Sequence, residues 1–353
     1  MRITLVSDAW TPQINGVVRT LTTTVALLAV RGDAVQTITP DQFVSLPCPT
    51  YPEIRLALTT SRRIGGMITA FRPDAVHIAT EGPLGWLARN WCIARGVSFT
   101  TSFHTRFPDY VAARTSLSPA WLWRLLVRFH APARHVLVAT QRLAAELNVR
   151  GLTATRLWSR GVDVAQFNAA VPPSRAYAKL ARPIMLSVGR VAIEKNIAAF
   201  LDTTLPGTKV VVGDGPALAA LRGRYPDVVF LGALRGPELA AAYAGSDVFV
   251  FPSLTDTFGL VMIEALACGI PVAGFPVAGP LDIIGRDGHG VVPGGTARVG
   301  SLDNDLDAAI ALALTAKPAD CIAYAASFSW EACTGQFLAG LAGVDSPAVL
   351  SSA

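Results

Sequence analysis

Short apolar runs alternate with longer amphipathic stretches along the chain. In the N-terminal half, runs near 2–7, 34–39, 75–78, 97–101 and 135–139 predict strands, with helices such as Val17 to Ala29 and Trp121 to Phe129 between them. The pattern restarts after residue 180. Ile184-Met185-Leu186-Ser187-Val188, Val210-Val211-Val212, Val228-Val229-Phe230-Leu231, Val248-Phe249-Val250-Phe251 and Pro271-Val272-Ala273 predict a second series of strands. Strands alternating with helices predict α/β architecture with parallel sheets, and two such series predict two doubly wound, Rossmann-like domains. The segment Asn168 to Pro183, with Val171-Pro172-Pro173-Ser174 inside it, predicts the linker, because Pro pairs resist both helix and strand. The expected division is therefore 1–168, 169–330 and a last stretch 331–353. In that last stretch Ser329 caps a helix running to about Leu341, and Asp345 to Ala353 reads as a frayed tail.

Composition narrows the class. The 353 residues are 51% hydrophobic and 16% charged, enough apolar material for two cores and unlike a disordered chain. Mean hydropathy is high at +0.42. Even so, no run of about 18 apolar residues is free of charge or a Gly/Pro break. Met1-Arg2-Ile3-Thr4-Leu5-Val6 reads as a strand, not a secretory signal. Five cysteines without a CxxC pair are expected to be reduced thiols in a cytoplasmic protein. Charge is uneven. Residues 1–168 hold 18 Arg, no Lys and nine acids, a net +9, while 169–353 hold 12 basic and 16 acidic residues, a net −4. The basic half is expected to face an anionic surface, with membrane lipid and nucleic acid both open on charge alone.

In a doubly wound sheet, ligands gather beyond the carboxyl ends of the strands. After the first strand, Ser7-Asp8-Ala9-Trp10-Thr11-Pro12-Gln13-Ile14-Asn15-Gly16-Val17 places Gly16 at a helix start, where backbone N–H groups can approach an anion. This loop has no GxGxxG, which argues against a nicotinamide enzyme. Ser102-Phe103-His104-Thr105-Arg106 puts His104 just past a strand end, where it can hydrogen-bond a hydroxyl or phosphate. Gly189-Arg190-Val191-Ala192-Ile193-Glu194-Lys195 brings two cations and a helix dipole toward one diphosphate. The most informative stretch runs from Phe251 to Val272. Asp256 and Glu264 are separated by seven residues, and Phe258-Gly259-Leu260 opens a helix whose first turn presents free N–H groups. Asp303-Asn304-Asp305 spells DxD, but at a helix start where dipole compensation explains it.

The Phe251–Val272 stretch resembles the signature of retaining glycosyltransferases of family 4, whose GT-B fold has two Rossmann-like domains facing a central cleft. The resemblance covers nearly the whole chain. It includes Gly16, His104, Gly189-Arg190 with Lys195, Gly213-Asp214-Gly215-Pro216, and Trp158-Ser159-Arg160-Gly161-Val162-Asp163 at the linker entry. The family usually has two Glu at this spacing, and Asp256 replaces the first.

The resemblance implies roles. Arg190 and Lys195 would bind the donor diphosphate, and Glu264 the donor ribose. Asp256 and the amides near Phe258, Gly259 and Leu260 would hold the sugar or the distal phosphate. His104 would touch the donor sugar from the other domain, and Gly16 would approach the phosphates or the sugar. It also implies transfer with retention, no cofactor beyond the UDP- or GDP-sugar donor, no required metal, and a C-terminal helix crossing back to the first domain.

The loops Trp10 to Val17 and Phe103 to Pro108 resemble a subset that glycosylates membrane lipids, notably diacylglycerol, or transfers mannose to lipid acceptors. Trp10, Arg106, Trp121, Trp123, Arg124 and Arg128 are the candidates for the acceptor or membrane side, since interleaved Trp and Arg suit a headgroup boundary. The expected place is therefore the inner face of the cell membrane, held peripherally, with no nucleic-acid partner. A GDP-mannose-dependent transferase, a transferase with a soluble acceptor and a GT-B sugar-nucleotide epimerase are the alternatives. A dehydrogenase or a non-catalytic adaptor would leave the paired acids and cations without a purpose.

Overall fold

The computed structural model of the protein describes residues 1–13, 15–48, 51–104, 118–256, 258–291 and 296–343. The chain forms two compact units, one of Met1–Arg160 with the segment from Trp330 onward, the other of Gly161–Ser329.

The first unit carries β1 (Arg2–Val6), β2 (Ala34–Ile38), the antiparallel hairpin β3 (Ser45–Cys48) and β4 (Tyr51–Ala57), then β5 (Ala75–Ile78), β6 (Thr100–Phe103), β7 (Val136–Val138) and β8 (Thr155–Leu157). Its main sheet is parallel in the order β2-β1-β5-β6-β7-β8. Both faces are covered. Ile3 and Leu5 pack with Leu21 and Leu28 of the helix Gly16–Val30 and with Trp330, Cys333 and Phe337 of the helix Trp330–Gly340. On the opposite face Val6, Val76 and Ile78 meet Ile64, Ile68, Leu84, Trp91 and Phe129. The helix Gly16–Val30 starts where the Asn15 side chain accepts from Val18 N at 2.9 Å. The helix Pro119–His130 ends on a buried cation: Arg89 donates from Nε to the Phe129 carbonyl (2.9 Å) and from Nη2 to the Arg128 carbonyl (2.6 Å). Those carbonyls are orphaned by the helix end, and a guanidinium there also complements the helix dipole.

The second unit carries β9 (Ile184–Val188), β10 (Thr208–Val212), β11 (Val229–Gly232), β12 (Val248–Phe251), β13 (Val272–Gly274) and β14 (Gly300–Leu302). Its sheet is parallel in the order β11-β10-β9-β12-β13-β14. The winding direction reverses between β9 and β12 here, and between β1 and β5 in the first sheet, so each sheet has one switch point.

The units divide at Arg160/Gly161, several residues before the expected linker. The Pro-rich segment is not a free tether. Ser174 N donates to the Ala241 carbonyl (3.0 Å), the buried Tyr177 donates its hydroxyl to the Ala242 carbonyl (3.1 Å), and Phe167 meets Tyr243 edge-on at 5.7 Å. Apolar anchors on both sides of the Pro pair fix it to the second unit. The hairpin, β8 and β14 were not anticipated, since three of these four strands have only three or four residues. The C-terminal helix belongs to the first unit's core, and the expected tail from Asp345 lies outside the described residues.

Replacing Arg89 with Met keeps the aliphatic stem and removes the guanidinium, with its two bonds to the helix-end carbonyls and a third to Asn90 Oδ1 (2.9 Å). The loss should lower stability by about 2 kcal/mol, read as a shift of the urea unfolding midpoint at unchanged m-value.

Candidate functional site

In the second unit, the loops after β9 and β12 meet at the switch point. Gly189-Arg190-Val191 leaves β9 and rests backbone to backbone on the Gly213-Asp214-Gly215 turn. Val191 N donates to the Asp214 carbonyl at 2.9 Å, and a Cβ on Gly213 would stand 1.8 Å from the Gly189 oxygen. Only glycine permits that approach, so the Gly213-Asp214-Gly215 turn also shapes the Arg190 loop. Lys195 closes the short 3-10 turn Ile193–Lys195, and Asn196 then ties this loop to the next by donating Nδ2 to the Pro252 carbonyl (3.2 Å).

The Lys195 ammonium reaches both oxygens of Asp256, at 2.6 and 2.8 Å. The two residues assigned separately, one to diphosphate and one to sugar, are thus an ion pair in this state. Both are partly exposed, at 26% and 17%, so the cation remains accessible to an anion from outside. Arg190 is half-buried on the same loop. After β12, Gly259 adopts φ +94° and caps the helix Leu260–Ala267. A Cβ there would meet Met262 Cε at 2.7 Å as well as force a left-handed L residue. The amides of Leu260 and Val261 open this helix, where no intrahelical acceptor exists. Phe258 is buried and turns its ring edge-on to Phe328 at 6.2 Å. Glu264 sits deeper, 3% exposed, with the Tyr243 hydroxyl donating to Oε2 at 3.0 Å. Tyr243 lies in the last turn of the helix Gly236–Ala244 among alanines, where no sequence signal marked it.

In the first unit a chain of polar side chains crosses the ends of β5 and β6. Arg160 Nη2 donates to His104 Nδ1 at 2.9 Å. A guanidinium only donates, so the imidazole proton sits on Nε2, which donates to Ser102 Oγ at 2.8 Å. Ser102 donates on to the Ala79 carbonyl (3.1 Å) and lies 3.2 Å from His77 Nε2, whose Nδ1 is 2.9 Å from Thr100 Oγ1. Burial first, then the Arg160 cation, hold His104 neutral, its pKa well below the ordinary value. Burial alone pushes His77 down to about 3. His104 was expected to offer a hydrogen bond to a ligand. In this state both ring nitrogens already serve the protein, and Arg160 is the charged member of the pair. Its guanidinium is 6% exposed, donates to the carbonyls of Trp158 and Ser159 at 2.6 and 2.9 Å, and has a pKa lowered to about 10 by burial. Sequence reading quoted Arg160 only as part of the linker entry.

Asp8 was also missed, although it stands two residues past the end of β1. Its carboxylate accepts from Leu84 N (2.9 Å), Gly85 N (3.2 Å) and the Thr80 hydroxyl (3.0 Å), filling the start of the helix Pro83–Arg95. Gly16 lies exposed at its helix start, as placed from sequence. Trp10 is half-buried against the first unit's core. Of the basic-aromatic stretch, Trp121, Arg124 and Arg128 share one exposed face of the helix Pro119–His130 with Leu125. Trp123 is corrected. It is 7% exposed, stacked on Phe103 at 5.8 Å with Arg150 over its ring at 3.8 Å, because a residue two along from Trp121 points to the sheet. Arg106 lies outside the described residues. Asp305 caps the helix Leu306–Ala313, accepting from Asp307 N and Ala308 N, so the DxD acts as a cap.

Burial raises Asp8 to about 6 despite three hydrogen bonds that oppose the shift. The folded state then holds a proton between about pH 4 and 6 that the unfolded chain has released. Stability due to Asp8 is fully present below about pH 4 and falls as pH rises to about 6. Urea unfolding across this window should show that decline in wild type and a flatter profile in Asp8→Asn. Parallel profiles would remove Asp8 as its source.

Comparison with known proteins agrees with this geometry. The model described as Glycosyltransferase Family 4 matches residues 14–166, and Glycosyl transferases group 1 matches 182–308. The sulfoquinovosyl transferase SQD2 of Arabidopsis thaliana is 34% identical over 70% of this chain, which spans about half (51%) of that longer relative. A GDP-mannose-dependent alpha-mannosyltransferase of Mycolicibacterium smegmatis is 31% identical over 80% of this chain and 82% of its own length. The alpha-monoglucosyldiacylglycerol synthase of Streptococcus pneumoniae is 26% identical over 77% and 70%. Among solved structures, the sucrose-phosphate synthase of Thermosynechococcus elongatus superposes with a TM-score of 0.69 at 22% identity, covering 96% of this chain and 97% of that one. The chain belongs to glycosyltransferase family 4, and its two Rossmann-like units are those of the GT-B fold.

Proposed function

We propose that the protein moves a hexose or hexuronic acid, with retention of configuration, from a UDP- or GDP-sugar to a hydroxyl of a membrane lipid such as diacylglycerol. The donor half of this reading rests on the switch point of the second sheet. There the Lys195 cation, the Arg190 loop and the Leu260 and Val261 amides share the edge between β9 and β12, a combination suited to a diphosphate. Asp256 lies at the sugar end of this arrangement and holds the Lys195 ammonium until a diphosphate competes for it. Tyr243 fixes the Glu264 carboxylate, leaving it to the ribose. In the transition state, developing charge on the leaving diphosphate is where Arg190 and Lys195 act. The chemistry needs no cofactor and no metal in this reading.

The lipid half rests on the exposed face of the helix Pro119–His130. Trp121 is 55% exposed and Leu125 37%, with Arg124 and Arg128 beside them. Among the described residues no single helix is long and apolar enough to cross a membrane, so this face would dock from one side. The name of the monoglucosyldiacylglycerol synthase among the relatives supports a lipid hydroxyl, and that of the mannosyltransferase supports GDP-mannose as a donor to try beside UDP-glucose.

A panel of UDP-glucose, UDP-galactose, UDP-glucuronate and GDP-mannose with diacylglycerol vesicles, read by lipid chromatography, tests the whole reading. Lys195→Ala should lower kcat/KM at least roughly tenfold, from the loss of a charge-assisted contact. Asp256→Asn should reduce transfer more than nucleotide affinity. Wild-type kcat/KM in Lys195→Ala would remove the donor site from these loops.

Vesicle co-sedimentation tests the docking face. Binding should need anionic lipid, weaken as salt rises, and fall when Arg124 and Arg128 are both changed to Glu, each Arg contributing about 1 kcal/mol. Equal binding by both proteins to neutral and anionic vesicles would point to a soluble acceptor.

A further inference from the structure

The switch point of the first sheet holds a carboxylate that nothing above uses. Glu81 stands three residues past the end of β5, between Thr80 and Gly82. Its Oε1 lies 3.1 Å from His130 Nε2. That imidazole is fully buried, and its other nitrogen is fixed by Thr101 Oγ1 at 2.8 Å. The backbone under Glu81 is held on both sides by Asp8. The Thr80 hydroxyl donates to the Asp8 carboxylate, while Gly82 packs so close that a Cβ would stand 2.3 Å from Asp8 Cγ. Glu81 is therefore set in place through its side chain and through both neighbours. A buried histidine holding one oxygen of a carboxylate at a sheet's switch point is more order than a solvated surface acid requires. Among the described residues, Glu81 Oε2 makes no hydrogen bond, and the side chain is 18% exposed.

We propose that Glu81 Oε2 accepts a hydrogen bond from the acceptor's hydroxyl and so selects a neutral alcohol on the first unit, with His130 as the residue that positions it. The inference rests on the lipid-hydroxyl reading and narrows it. A carboxylate favours a hydroxyl donor and repels a phosphate, so an acceptor with a bare glycerol hydroxyl is preferred over one whose reacting region carries a phosphomonoester. Glu81 takes part in no bond-making step here. Its role is to orient the hydroxyl.

The probe is sn-1,2-dioctanoylglycerol, with whichever of the four donors releases nucleotide fastest in its presence. Glu81→Gln preserves shape and the contact to His130 but removes the charge. Its acceptor KM should rise roughly tenfold or more, with the donor KM and the melting temperature unchanged and kcat reduced less than the KM is raised. His130→Leu should raise the acceptor KM in the same direction while Glu81 remains. If that variant fails to fold, Glu81→Gln decides alone. An acceptor KM unchanged in Glu81→Gln overturns the inference and leaves the lipid reading standing. Donor and acceptor KM rising together also overturn it, in favour of a purely structural Glu81. No dioctanoylglycerol-dependent nucleotide release by wild type with any donor overturns the lipid-hydroxyl reading and this inference together.

Discussion

A parallel strand covered by helices on both faces has no solvated side on which to carry a charge. Its polar chemistry must collect past its last residue, and both sheets obey this constraint. Asp8, Glu81, His104, Arg190, Lys195 and Asp256 all follow strand ends. Strand positions that are polar need partners from neighbouring strands. His77 in β5 is satisfied by Thr100 and Ser102 of β6, which turns an otherwise costly buried imidazole into a brace between strands. The same brace carries His104 and, through it, Arg160. One arrangement of buried side chains thus sets both the inner packing of the first sheet and the charge at its edge.

Much of this was legible in the sequence because the signals were long or local. Five- and four-residue apolar runs such as Ile184–Val188 and Val248–Phe251 announce themselves, and the spacing of Asp256 and Glu264 marks a helix entered from a glycine turn. The illegible parts depend on contacts distant in sequence. Three-residue strands such as Thr155–Leu157 carry too little pattern to separate from a loop. The domain boundary was drawn at 168/169, before the Pro pair, yet packing such as that of Phe167 on Tyr243 puts residues 161–168 with the second unit as well. Trp121 and Trp123 look equivalent in a list of aromatic residues, and only the helical turn separates the exposed one from the buried one. The pairing of Lys195 with Asp256, 61 positions apart, needs the two strand-end loops to be side by side.

The two sheets use their switch points differently. In the second unit the edge is built largely from backbone: glycine turns and helix-opening amides, with an ion pair whose cation can be shared. Such a surface suits the diphosphate proposed for it, the part that all nucleotide-sugars share. In the first unit the edge is built from side chains in hydrogen-bonded series, which is where a family with many acceptors can vary one residue at a time. Membership of a family whose relatives act under such different names accords with that division of labour.

The C-terminal helix gives the molecule an order of assembly. Trp330, Cys333 and Phe337 fill one face of the first sheet beside Ile3 and Leu5, and Cys333 Sγ donates to the Ser159 carbonyl at 3.0 Å. On the ribosome, the N-terminal sheet therefore emerges with that face covered only in part, by the helix Gly16–Val30, and stays so while all of Gly161–Ser329 is synthesised. The second unit, contiguous in sequence, is free to fold first, and the first to emerge is the last to be completed. Nascent chains halted before Trp330 should display this unfinished apolar face to chaperones, a vulnerability that belongs to synthesis and vanishes once the helix Trp330–Gly340 docks.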